Sequence, residues 1–142
     1  MTIPLFLRRL TLSLLVLAGT ALADEPVKVV YQFSEGLEQA GRGLNNIANH
    51  LEADPTVRIV VVAFGPGVDF LLDGAKDKYG ADYQLKLAEL SLKGVDFRVC
   101  NNTLKSRKID PAKVDQDARI VPAGVAEIAK LQFKEHFAYI KP

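Results

Sequence analysis

The chain has 142 residues, with 18 Lys and Arg against 17 Asp and Glu, two histidines and one cysteine. A length of this order is one domain with one core. A nearly neutral charge without a basic run excludes a polyanion binder, so nucleic acid is not an expected partner. A lone cysteine excludes an internal disulfide.

Met1 to Ala23 has a basic start at Arg8 and Arg9, an apolar run from Leu10 to Leu22 and the small-x-small ending Ala21-Leu22-Ala23. This is the pattern of a cleaved secretory signal, with an apolar part short for a membrane span, so residues 1–23 are expected to be a leader and 24–142 the mature domain. The alternative is an uncleaved anchor, and the arginine pair raises the twin-arginine route. The expected location is periplasmic or secreted. Losing the leader arginines leaves the mature chain one charge negative, and no later segment is apolar for long enough to cross a membrane, so no membrane partner is expected after cleavage.

Val27 to Ser34 is β-branched and aromatic, a strand closed by the turn Ser34-Glu35-Gly36. Leu37, Ala40, Leu44, Ile47, Ala48 and Leu51 recur at helical spacing until Asp54-Pro55. Val57 to Phe64 is almost continuously apolar, as in a strand covered on both faces, and Gly65-Pro66-Gly67 ends it. Val68 to Leu72 has room for a helical turn or two, and Asp73 to Ala81 is polar loop. Asp82 is placed to cap a helix bearing Leu85, Leu87, Ala88, Leu90 and Leu92, closed by Gly94. Val95 to Cys100 is the third strand. A charged stretch follows, with a short helix at Asp110-Pro111, then a fourth strand at Ala118 to Val121, a helix over Ala123 to Phe133 and a last strand from His136 to Ile140. Regular alternation of strand and helix predicts a three-layer α/β sandwich around a mostly parallel sheet.

In such a sheet, reactive groups gather beyond the carboxyl ends of the strands. Four loops meet that condition, carrying Ser34, Gly65 with Gly67, Cys100 to Thr103, and Gly124. Cys100 is the nucleophile candidate. A helix starting near Thr103 would favour its thiolate, Lys105, Arg107 and Lys108 would add positive charge, and Asn101 and Asn102 have side-chain donors for a sulfur anion. The competing reading is a buried strand cysteine of ordinary acidity. Gly65-Pro66-Gly67 matches no phosphate-binding motif, and Ser34 lacks the GxSxG context of a hydrolase. His50 and His136 have no metal-ligand spacing. No metal or cofactor is expected, and no hydrolase or oxidoreductase signature is present.

Three stretches resemble the DsrE/DsrF-like family, particularly its exported branch: Val95-Asp96-Phe97-Arg98-Val99-Cys100-Asn101-Asn102-Thr103-Leu104, Ile120-Val121-Pro122-Ala123-Gly124-Val125, and Leu131-Gln132 with the ending Ala138-Tyr139-Ile140-Lys141-Pro142. The resemblance covers nearly all of residues 27–142. It implies an α/β/α sandwich whose five-stranded sheet has its last strand antiparallel to the others, and assembly as a homotrimer or hexamer. It further implies that Cys100 accepts sulfane sulfur as a persulfide and passes it between a donor and an acceptor protein, with Asn101, Asn102 and Thr103 in support. Cytoplasmic relay members continue from their cysteine into a small-residue helical segment, where this chain has Asn101-Asn102-Thr103. The alternative function is a non-catalytic oligomeric module that binds a small anion or a partner protein through its edge loops, with Cys100 structural.

Overall fold

The computed structural model describes residues 25–142; the expected leader lies outside them. Strand β1, Lys28–Phe33, places Val29, Tyr31 and Phe33 on one sheet face and Val30 on the other, the period-2 alternation of a strand. Helix α1, Gly36–Ala53, buries Ala40, Leu44 and Ile47 against the first of these faces. Strand β2, Arg58–Ala63, is buried at every position after Arg58, as its unbroken apolar run requires. A 3-10 turn over Gly65–Leu71 follows. A β-carbon on Gly67 would stand 2.1 Å from the Phe33 carbonyl oxygen, so only glycine lets the two strand ends close up here.

Helix α2, Tyr83–Leu92, buries Tyr83, Leu87 and Leu90. Leu85 and Leu92, counted with the apolar stripe in the sequence, face solvent instead, because a 3.6-residue period from Leu87 and Leu90 turns both outward. Asp82 precedes the helix but forms no capping bond, its carboxylate being held by Lys76 at 2.6 Å. Strand β3, Asp96–Cys100, runs straight into helix α3, Asn101–Ser106. Asp110 accepts the Ala112 N–H to start the short 3-10 turn at Pro111–Lys113. Strand β4, Ala118–Val121, helix α4, Gly124–Glu135, and strand β5, Ala138–Ile140, complete the chain. His136, expected in the last strand, is the left-handed residue (φ 59°) that ends α4.

The sheet order is β4-β3-β2-β1-β5, with α1, α2 and the first 3-10 turn on one face and α4 alone on the other. All five strands are parallel. This corrects the expected antiparallel last strand: β5 pairs with β1 in parallel, Val29 opposite Ala138 and Tyr31 opposite Ile140. The reason is α4. The chain leaves β4 at one edge, returns along α4 beneath β3, β2 and β1, and enters β5 from the amino end, which is a crossover and not a hairpin. Helix α4 lies on Val30, Val60 and Val62 through Ile128 and Leu131. Among the described residues, no helix is long and apolar enough to cross a membrane.

Candidate functional site

Cys100 is the last residue of β3 and the N-cap of α3. Strand alternation puts it on the α4 face with Arg98 and Asp96, while Phe97 and Val99 point into the main core. Arg98 is 4% exposed, bonded to Asp96 at 2.6 and 3.0 Å and to Glu127 in the first turn of α4. Arg119 of β4 closes the same cluster on Asp96, at 2.9 and 3.0 Å. Burial pushes the Asp96 carboxyl up, and the bonds from Arg119 and Arg98 more than reverse it, holding the group ionised. This buried network ties the start of α4 to β3, and so fixes Gly124 against Cys100.

Gly124 is packed so closely that a β-carbon there would lie 3.0 Å from Phe64 Cδ1 and 3.3 Å from Cys100 Cβ. With hydrogen in that place, the Gly124 backbone sits beside Cys100, and its N–H is the foremost of the donors that lower the thiol. Cys100 is 5% exposed, and this burial pushes its thiol up; the Gly124 N–H, the Thr103 N–H and hydroxyl, and the Asn102 N–H together outweigh it. The thiol therefore sits below its ordinary value. Cys100 makes no side-chain capping bond at the start of α3. Thr103 is itself held: its Oγ1 accepts the Gly65 N–H at 2.9 Å, which leaves its hydroxyl proton for the sulfur.

The structure thus brings Cys100, Thr103, Gly65, Gly124 and the Asn102 backbone together. It differs from the sequence reading in what favours the thiolate. Neutral donors and not the charges of Lys105, Arg107 and Lys108 lead in lowering the thiol, and Arg107 is engaged by Asp69 and the Gly65 carbonyl, at 2.7 and 3.0 Å. Asn102 contributes its backbone amide and not its side chain, and Asn101 contributes to neither, being the first residue of α3. Ser34, at the end of β1, and Gly67, in the 3-10 turn after β2 where it packs on the Phe33 carbonyl, serve closure: the Ser34 and Glu35 amides donate to buried Gln39 at 2.7 and 2.8 Å, while Gln39 Nε2 donates to the Pro142 carbonyl. Sequence reasoning missed Phe64, Arg98, Gln39 and Glu127. An arginine inside an apolar strand, two residues before the cysteine, was the available signal for the buried network.

Among the described residues, no cluster of His, Cys, Asp or Glu is arranged to hold a metal. An open groove of about 1080 Å³ runs between α1, α2 and the loop at Tyr79, and shares no residue with the cysteine site.

An open parallel α/β sandwich with a buried, donor-lined thiol at its strand ends is the class that fold and site define. Residues 27–142 match the model of the DsrE/DsrF-like family, and the chain belongs to that family. It is similar to MTH1491 of Methanobacterium thermoautotrophicum, a protein of unknown function, with 30% identity and a TM-score of 0.71 over 82% of this chain and 99% of that one. YchN of E. coli shares the fold at 17% identity and a TM-score of 0.66, over 83% of this chain and 99% of its own. No curated protein matches the chain.

Proposed function

We propose that this chain is a sulfur carrier that acts outside the cytoplasm through Cys100. The observation that carries the reading is the seating of Cys100 at the carboxyl end of β3 against the Gly124 backbone and Thr103, whose neutral donors, with the Asn102 amide, hold the thiol below its ordinary value despite burial. Membership of the DsrE/DsrF-like family supports it, and the leader pattern of Met1 to Ala23 supports the location.

In loading, the Cys100 thiolate attacks the terminal sulfur of a hydropolysulfide. The Sγ–S bond forms as the neighbouring S–S bond breaks, the proton stays on the transferred sulfur, and the shortened polysulfide leaves with the electron pair. Unloading reverses the roles: an acceptor thiolate attacks the outer sulfur and Cys100 departs as thiolate. No external oxidant or reductant is consumed in either step. The donors that favour the free thiolate also favour it as leaving group.

Mass spectrometry after polysulfide treatment tests this. Wild type should gain about 32 mass units, one sulfur, on Cys100, lose it to added thiol, and show neither event in Cys100→Ser. A wild-type protein that gains no sulfur overturns the reading. Self-association belongs to the same proposal, since α4 leaves Val125 and Phe133 64% and 84% exposed on the face covered by that helix alone. Light scattering should show Phe133→Asp smaller than wild type, and equal masses would refute it.

A further inference from the structure

The surroundings of Cys100 restrict what can reach it, and the limit is steric. The residue is 5% exposed. On one side stands Thr103, 8% exposed and pinned to Gly65. On the other are the Gly124 backbone and the Phe64 side chain, which crowd the same point: a β-carbon on Gly124 would meet Phe64 at 3.0 and 3.2 Å and Cys100 at 3.3 Å. Phe64 is brought there by the sheet. Ala63 pairs with Val99, so the next residue of each strand, Phe64 and Cys100, emerge side by side. Half-buried, Phe64 packs its other side against Val62 and its cluster, which limits its freedom to swing away.

Displacement at sulfur is in line: nucleophile, attacked sulfur and leaving sulfur share one axis. A donor must therefore reach a residue only 5% exposed end-on, past Phe64 and Gly124, which together form the mouth of the site. A chain of bare sulfur atoms can do so, whereas an organic disulfide carries a carbon substituent on the attacked sulfur, in the plane of the mouth. Resting on the carrier reading, we infer that Phe64 and Gly124 make Cys100 selective for slim, unbranched sulfur donors, typified by inorganic polysulfide, and that Phe64 is the residue that excludes bulky organic disulfides.

The outer sulfur of a Cys100 persulfide stands about 2 Å beyond Sγ, one S–S bond length. In-line displacement leaves it on the side from which the donor entered. Loading is selective by this geometry, and unloading is open to larger acceptors.

The test compares a slim neutral reagent, methyl methanethiosulfonate, with a bulky neutral one, dithiodipyridine, each rate divided by that of free cysteine at the same pH so that thiol acidity cancels. Wild type should favour the slim reagent by about a hundredfold relative to free cysteine, the scale at which a close-fitting pocket discriminates. Phe64→Ala should bring the two reagents to within about tenfold. Phe64→Leu, which keeps most of the packing, should fall between, and thermal melts establish that each variant is folded. A wild-type ratio equal to that of free cysteine overturns the inference, as does a folded Phe64→Ala or Phe64→Leu protein with the wild-type ratio. Fast reaction with the slim reagent, without sulfur gain from polysulfide, sinks the carrier reading and leaves the steric selection standing.

Discussion

Gly124→Ala presses directly on the contact that defines the site. The added methyl would stand 3.0 Å from Phe64 Cδ1 and 3.3 Å from Cys100 Cβ, tighter than ordinary carbon contact, so α4 must move out by a few tenths of an ångström or Phe64 must yield. Overpacking of this kind costs about 1–3 kcal/mol, and alanine's helix propensity returns at most about 1 kcal/mol of it at this first helical position, leaving a net loss of about 0–3 kcal/mol. The chemical effect should exceed the effect on stability. Moving α4 takes the Gly124 N–H, foremost of the donors that offset burial, away from the sulfur. A hydrogen bond to a charged group contributes about 1.5–3 kcal/mol, so even the lower figure raises the midpoint by about one pH unit. Iodoacetamide alkylation followed across pH separates the two consequences: the midpoint reports the donors, and the high-pH plateau reports access. The midpoint should move up, with the protein still folded by circular dichroism. A folded variant with the wild-type midpoint would show that the Gly124 amide does not set the acidity of Cys100.

Gln39→Leu should destabilise the fold by about 2–4 kcal/mol, because it leaves the Ser34 and Glu35 amides without their acceptor in a position 1% exposed; a denaturation midpoint within experimental error of wild type would contradict this. The lowered Cys100 thiol also makes stability depend on pH. Between the folded and unfolded values the unfolded chain binds the proton and the native one does not, so the contribution is complete above the unfolded value, about 8.5, and is lost as pH falls through the folded one. Relative to Cys100→Ser, wild-type stability should therefore rise from pH 6 to pH 9, and chemical denaturation giving a flat or falling difference would oppose it.

The strands were legible because their chemistry is local. Arg58–Ala63 is apolar without a break and ends in Gly-Pro-Gly, and such a segment has few homes other than the centre of a parallel sheet. The direction of β5 was not legible. Three residues, Ala138–Ile140, carry no mark of orientation, which comes from where α4 delivers them. The same holds at the site. Cys100 and Thr103 are close in sequence and could be read as one element, whereas Gly65, Phe64 and Gly124 come from separate strand ends and meet only when the sheet order is known. The basic residues misled for a related reason: Arg107 caps the far end of α3, where it turns to Asp69.

That neutral amides and not cations surround the sulfur bears on the proposed transfer. A carrier needs its cysteine to attack once and to leave once, and these demands conflict, since nucleophilicity falls as the thiol becomes more acidic while leaving ability rises. A lysine or arginine ion-paired with the thiolate would weigh on the side of leaving, because its full charge must be separated from the sulfur before attack. Several shared N–H and O–H donors, opposed by burial, lower the thiol more gently and need no counter-ion to move. The loaded form also benefits, because the outer sulfur stands clear of the donors while Sγ stays among them, ready to take the electron pair when an acceptor attacks. Burial and reactivity are thus compatible in Cys100: burial keeps bulky thiol reagents away and opposes the donors, and the amides of Gly124, Thr103 and Asn102 still hold the thiol below its ordinary value.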